Sequence, residues 1–522
     1  MPVSTNSIET IERCRAWISN CENNHLQCQA FRSPSWRPSR LIDLTTPDKW
    51  VLRIDTATLE DRVEYTTISY RWGNVPFIRL TKDTIQEFVN PQPIASLPPT
   101  FRDAMELTIR LGFHYIWIDA LCIIQGCKED WLKEGSTMAN VYTNSECTLS
   151  ATAAHDPWGG LFRQRNKDKI LTGDLGPYGF RIERFPYVDS FIPAGYSAEE
   201  IKNSPLFTRG WILQERLLSR RILHFGEGQV YFDCRVSWKC ETFPDGHPRT
   251  EIDKLLDRPS PEVSYNFDYQ WPDLVEQYSR SALTNSSDKL IALSGIAEIF
   301  SRVSNGDLYF AGHWKTRLIS TLPWLVLDNT KTVKLIEPLS PSWSWASING
   351  AITFESSGSS CDLLATVVKF PTTPVSPYIS KTLPDCTLRL RGTAERAQCI
   401  DKDELFSTWT CSCHQTTLRI HVRLDYSMPG FSIGAKLTFF PLTVNRAAFL
   451  IQGIVIRLIH GYTNRYQRVG AFFINIKQIE QQHMPFRFGR LKIIPIKTIS
   501  TEIGTIATAI IPPKEWRDIE LT

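Results

Sequence analysis

No apolar stretch of the 522-residue chain is long enough to cross a membrane as a helix. The longest, such as AFLIQGIVIRLIH, are too short or too interrupted for the ~20 residues a span needs. The opening MPVSTNSIETIERCRAW has no apolar h-region, so no secretory leader is expected. A dominant charge is missing too. The net charge is +3 and the pI about 8.2, too mild to argue for nucleic-acid binding. Neither GxGxxG nor GxxxxGKS/T occurs, which excludes a dinucleotide fingerprint and a P-loop. Enzymes that cleave NAD need neither. There is no internal repeat. The 13 cysteines are odd in number and lie mostly inside apolar or helical patterns. Reduced thiols in a cytoplasmic protein are expected, not a disulfide framework.

What remains is ordinary globular material, 42% hydrophobic and 22% charged. The length exceeds one core, and two or three domains of ~100–200 residues are expected. Sixteen tryptophans promise cores filled by large rigid aromatics.

Residues 7–30 read as a helix with Ile8, Ile11, Arg15 and Ile18 near one face. SPSWRPSR is a Pro-punctuated linker. RLIDL, WVLRI and YTTISY read as strands, RWGNVP as a turn broken by Gly73 and Pro76, and FIRL as a short strand. A helix over 83–89 precedes LPPT, where Thr100 is placed to cap a better helix, with Asp103 three residues on. That helix shows Phe101, Ala104, Met105, Thr108 and Leu111 on one face, and Gly112 can end it in a left-handed turn. YIWIDALCII follows as a central strand, then a helix over 129–142 and the strand CTLSATA. Alternating strands and helices predict a parallel sheet. Beyond it, GPYGFRIERFPYVDSFIPAG reads as loop with a strand or two, GWILQERLLS as a short helix, and RILHFGEGQVYFDC as a hairpin. Residues 271–300 read as helical, and WKTRLISTLPWLVL as an amphipathic helix broken by Pro323. The chain past Pro341 is β-rich, suggesting a small sandwich or barrel.

Four stretches resemble the fungal heterokaryon incompatibility (HET) domain in that domain's own order. They are YTTISYRWG, LPPTFRDAMELTIRLGFHYIWIDALCIIQ, EDWLKEGSTMANVYTNSECTLSATAA and RGWILQERLLSRRILHF. WISNCENNHLQC resembles the segment often found before the domain, and SDKLIALSGIAEIF and PSWSWASING what often follows. The likeness covers roughly residues 15–350 and is densest from Tyr65 to about Phe225. It implies a cytoplasmic protein of fungal non-self recognition and programmed cell death, with other incompatibility or cell-death signalling proteins as partners and self-association. It also implies a fold distantly similar to TIR domains, which are α/β with a mostly parallel, doubly wound sheet. Some TIR domains hydrolyse NAD, so NAD is a candidate substrate and not a resident cofactor. Expected boundaries are 1–62 for an N-terminal helix and short strands, 63–230 for the HET domain, 231–345 for a mostly helical extension and 346–522 for a β-rich domain.

Two carboxylates carry the candidate chemistry. Asp119 sits late in its predicted strand, and doubly wound sheets collect ligands beyond the carboxyl ends of their strands. A lone buried carboxylate is costly, so Asp119 either ties the following loop or serves a ligand or catalysis. Glu134 lies three residues after Trp131, at the margin of a helical stripe with Met138 and Tyr142. There it can serve proton transfer or anchor a ligand, or be a surface glutamate pairing with Lys133 or Lys128. DWLKE is similar to the Trp-plus-Glu helix of NAD-hydrolysing TIR domains, although the spacing there is about four. Tyr70, Arg71, Trp72 and Gly73 follow the first strand and are candidates for holding the dinucleotide; equally, Trp72 could plug the core and Gly73 supply a positive φ. Arg71 departs from the smaller or apolar residue expected in the family. RGWILQERLLS reads as a buried polar network, with help to the site as the alternative.

Cys21-x3-His25-x2-Cys28 offers soft metal ligands, but Cys14 lies about 10 Å further along a helix. Cys411 to His414, with Cys399, is a weaker candidate because a strand sends His414 to the opposite face. No metal is expected at either. Cys122 and Cys127 flank a loop, with inert thiols the default. A non-catalytic scaffold that self-associates through the HET domain is the alternative function.

Overall fold

The computed structural model describes residues 2–29, 32–33, 35–59, 63–165, 173–174, 181–182, 201, 203–246, 267–283, 285–304, 306–335, 340–354, 361–371, 386–402, 407–411, 417–426, 433–445, 450–475, 486–488, 491–496, 507–511 and 517–522. Its contacts divide the chain into two units. The first holds Met1–Tyr265 with Ile291–Ile299, and the second holds Asn266–Leu290 with Phe300–Thr522. Among the described residues, no helix is long and apolar enough to cross a membrane.

The first unit opens with α1 (Ile8–Asn24), whose N-cap Ser7 accepts from the Thr10 amide. The helix stops at Asn24, and His25 leaves helical geometry. The predicted strands RLIDL and WVLRI form β1 (Leu41–Asp43) and β2 (Lys49–Arg53). YTTIS is β3 (Tyr65–Ser69), buried at every position. A short α2 (Ile85–Phe88) and β4 (Gln92–Pro93) lead to α3 (Pro99–Leu111). Then come β5 (Tyr115–Trp117), the one-turn α4 (Asp119–Cys122), α5 (Lys128–Asn144) and β6 (Cys147–Ser150). After α6 (Ile212–Leu218), the hairpin β7 (Arg221–Phe225) and β8 (Val230–Cys234) forms as its Gly-Glu-Gly turn predicts, and β9 (Trp238–Cys240) completes it.

These nine strands make one sheet in the order β9-β8-β7-β6-β3-β5-β1-β2-β4. Parallel pairing is confined to the middle, β7-β6-β3-β5. The mostly parallel sheet expected from sequence is therefore a mixed one. The reason is local. Strands joined by tight connections, β1 to β2 and β7 to β8 to β9, must run antiparallel, whereas α3 and α5 supply the crossovers that parallel neighbours require.

Three local expectations change. FIRL is not a strand; Leu80 instead clasps α4, its amide donating to the Ala120 carbonyl at 2.8 Å. Thr100 does not cap α3, which starts at Pro99 with Pro98 as N-cap; its hydroxyl accepts from the Gly160 amide. The central strand YIWIDALCII ends at Trp117, so Asp119 opens a helical turn rather than closing a strand. Gly112 ends α3 with φ 97°, as predicted. Stretch 176–195 lies almost wholly outside the described residues.

Residues 271–300 are helical in two pieces, α7 (Phe267–Ser279) and α8 (Ile291–Val303). The Ile291–Ile299 part of α8 belongs to the first unit. Gly295 allows this, because a Cβ there would stand 2.3 Å from the Ala139 Cβ on α5.

The second unit is β-rich. The stretch expected as an amphipathic helix before Pro323 holds only short turns at Lys315–Thr321. Six strands close a hydrogen-bonded ring: β10 (Glu395–Lys402), β11 (Ser407–Cys411), β12 (Thr417–Leu424), β13 (Lys436–Asn445), β14 (Leu450–Leu458) and β15 (Arg465–Asn475). β13 pairs with both β10 and β14, and β15 pairs with both β12 and β14. Alternate residues feed two cores. Leu437 and Phe439 join one and Phe440 the other, until a register shift at Pro441–Thr443 puts Val444 back with the first. Trp314, Trp324, Trp343 and Trp345 are fully buried here, as Trp50 and Trp117 are in the first unit.

Candidate functional site

β3 and β5 run parallel in register, Thr67 beside Trp117, so the segments that follow them meet. Tyr70 and Trp72 follow β3, and Asp119 follows β5. Asp119 is buried, and each oxygen takes two donors. Oδ1 accepts from the Tyr70 hydroxyl at 2.6 Å and the Ala120 amide at 2.7 Å. Oδ2 accepts from Trp72 Nε1 at 2.8 Å and Arg209 Nη2 at 3.1 Å. A carboxylate has about four acceptor sites, and all are used.

Arg209 joins this carboxylate to a second one. Its Nη1 donates to the Tyr70 carbonyl at 2.8 Å and lies 3.6 Å from Glu215 Oε1. Burial alone would lower the Arg209 guanidinium pKa, but Glu215 and Asp119 hold it above the usual range. Burial raises the Glu215 carboxyl, against the pull of Arg209 and of the Ser69 hydroxyl that donates to it. Burial, reinforced by Asp119, pushes the Tyr70 hydroxyl far up, so Tyr70 stays protonated and donates. The network expected in RGWILQERLLS is present, with Arg209 as its hub. Arg71 is half-exposed and joins no hydrogen bond of the cluster among the described residues. Gly73 has φ 63°, and a Cβ there would stand 2.6 Å from the Asp156 Cβ. Tyr70 and Trp72 thus gather on Asp119, while Gly73 serves the turn.

Glu134 is elsewhere. It is 3% exposed, so it is not the surface glutamate considered from sequence. It lines a cavity of about 380 Å³ with Trp36, Arg37, Ser39, Thr56, Lys133 and Thr137. Neither Asp119 nor Tyr70–Gly73 lines that cavity. The Ser39 hydroxyl donates to Glu134 Oε1 at 2.7 Å. Arg40 Nη1 and Lys133 Nζ lie 3.8 and 3.9 Å from the same oxygen. Among the described residues Oε2 takes no such contact. Arg40 is itself held by Asp130, at 2.6 Å and 3.0 Å, and by the Cys122 carbonyl at 2.9 Å. Arg37 braces the wall by donating to the Thr56 and Leu59 carbonyls at 3.1 and 2.9 Å.

Ser39 and Arg40 are the residues that sequence reading missed. They lie in a Pro-punctuated linker, and nothing in a linker says which helix it will cover. The prolines were the available signal, since they stiffen the segment enough to serve as a wall.

A buried carboxylate with a spare oxygen beside hydroxyls and a lysine can bind sugar hydroxyls or stabilise a developing positive charge. Residues 65–215 match the family model described as Heterokaryon incompatibility protein (HET). No curated protein and no solved structure matches the chain. The matched segment runs from the first residue of β3 to Glu215 of the Arg209 network, and so holds Asp119, Glu134 and every donor to Asp119. The chain therefore carries a heterokaryon incompatibility (HET) domain at residues 65–215.

Proposed function

We propose that this protein acts in the cytoplasm in fungal non-self recognition and programmed cell death, and that its HET domain cleaves NAD at the Glu134 cavity. The observation that carries the chemistry is the asymmetry of Glu134, with one oxygen held by Ser39 and the other left for a ligand. The parallel block β7-β6-β3-β5 with its crossovers supports a distant likeness to TIR domains. In the reaction the C1′–N bond to nicotinamide breaks, and nicotinamide leaves neutral with the bonding pair. Water oxygen bonds to C1′ and one proton is released. Glu134 would stabilise the oxocarbenium-like transition state or hold the ribose hydroxyls.

The test is NAD consumption by purified protein, with Glu134→Gln and Asp119→Asn alongside. Turnover by the wild type that Glu134→Gln abolishes supports the proposal. No turnover by the wild type under conditions that promote self-association would move the conclusion to a non-catalytic scaffold. One observation favours that second reading: Asp119 is saturated by protein donors and has no capacity left for a substrate.

A further inference from the structure

We propose that the first unit holds a structural zinc ion bound by Cys21, His25, Cys28 and Cys234. One ligand atom from each of these four residues lies within 4.8 Å of all the others. Tetrahedral zinc with Zn–S near 2.3 Å places its sulfurs about 3.8 Å apart, so little movement is needed to close the site. Three cysteines and one histidine form a donor set that selects zinc among the common divalent ions.

The backbone explains how four residues converge. Cys21 lies in the last turn of α1. His25 ends the helix at φ −114°, ψ 91°, and a 3-10 turn over Leu26–Cys28 swings Cys28 back, its amide donating to the His25 carbonyl at 3.1 Å. An unbroken helix would carry Cys28 away. Cys14, two turns earlier, stays outside the cluster. The fourth ligand is the last residue of β8, more than two hundred positions along, and it brings Sγ to 3.4 Å from His25 Nδ1.

Two of the sulfurs also receive hydrogen-bond contacts from the protein. The Ser237 amide donates to Cys234 Sγ at 3.3 Å, and the Ser237 hydroxyl lies 3.4 Å from it. The backbone of Arg235 hydrogen-bonds the Cys28 sulfur. Such outer contacts fix ligand orientation in thiolate sites. Arg221 is fully buried beside Cys21, and its Nε and Nη2 find no nitrogen or oxygen partner among the described residues. Zinc with three thiolates carries a net charge of −1, which this guanidinium offsets. Three of the ligands precede the segment that matches the HET family and one follows it. The ion would therefore fasten the leading helix to the trailing hairpin and close the unit around the domain.

The experiment is metal analysis of the full-length protein purified under reducing conditions without added chelator. One zinc per chain is expected, and cobalt substitution should give tetrahedral d–d bands with thiolate charge-transfer absorption. Cys234→Ser should lose the zinc and lower the melting temperature by about 10 °C. Cys14→Ala, a buried cysteine on the same helix, should keep the zinc even if it is less stable. Metal-free protein whose melting is unmoved by zinc or chelator would overturn the proposal. So would an intact mass short by two hydrogens that Cys234→Ser restores, since the sulfurs would then be a disulfide.

Discussion

Asp119 and Glu134 are two buried carboxylates in one unit, and their surroundings are opposite. Asp119 sits where two parallel strands end, and four protein donors fill it. Glu134 sits on a helix behind a linker, with one oxygen held and a cavity beside it. Burial alone does not separate them. The count of unfilled acceptor sites does, and of the two roles the sequence left open for Asp119 it favours the one that ties the following loop.

The widest separation is expected in activity. Glu134→Gln should lower NAD turnover by about 10²–10⁴-fold, the range for loss of a positioned carboxylate, with melting little changed. If Asp119→Asn gives the greater loss while the fold stays intact, the roles are reversed. Stability should show the opposite order. Asp119→Ala strands Arg209 and the Tyr70 hydroxyl, and should cost about 3–5 kcal/mol in denaturant unfolding, against under about 1 kcal/mol for Glu134→Gln.

Glu146 extends the comparison to a third buried carboxylate. It is held by Arg32 at 2.6 Å, by Arg221 at 3.3 Å and by Arg220. Burial would raise its pKa, but Arg220, Arg32 and Arg221 outweigh burial and hold it below the ordinary glutamate value of 4.5. Because the folded value is depressed, its stabilisation is complete above pH 4.5 and is lost as pH falls through the folded value. Unfolding midpoints measured below pH 4.5 should therefore fall steeply in the wild type and less steeply in Glu146→Gln. A smaller effect is expected from Tyr70→Phe, which removes one bond to a charged acceptor and should cost about 1.5–3 kcal/mol. The smallest is Ser39→Ala, within about 1 kcal/mol in stability, but it should lower turnover by freeing Glu134 Oε1. Unchanged turnover would mean that Ser39 does not position the carboxylate.

Much of the first unit was legible because its signals are local. Alternation in RLIDL and WVLRI, Gly112, the Gly226–Gly228 turn, and the stripe of α3 each act within one element. The failures are tertiary. The run YIWIDALCII has no breaker, yet it leaves the strand at Trp117 because Asp119 finds its donors on other segments. Thr100 has the chemistry of a cap, and Gly160 claims its oxygen. The β-rich character of the second unit was plain from alternation, but closure of its ring depends on which strands pair, and no single strand carries that. Of the candidate site, Glu134 and Asp119 were singled out by residue type and position. Their separation could not be, because Ser39 and Arg40 reach Glu134 from about a hundred residues away. Cys411 to His414 lies mostly outside the described residues and Cys399 is buried, so that candidate stands as a sequence expectation.

The return of Ile291–Ile299 to the first unit has a consequence during synthesis. A nascent chain that has just released Tyr265 from the ribosome still lacks the helix that packs its Gly295 against Ala139. At ordinary elongation rates that helix is made about 2–7 s later, after the opening helix of the second unit. During that interval Ala139 on α5 lacks the close-packed neighbour that Gly295 later provides.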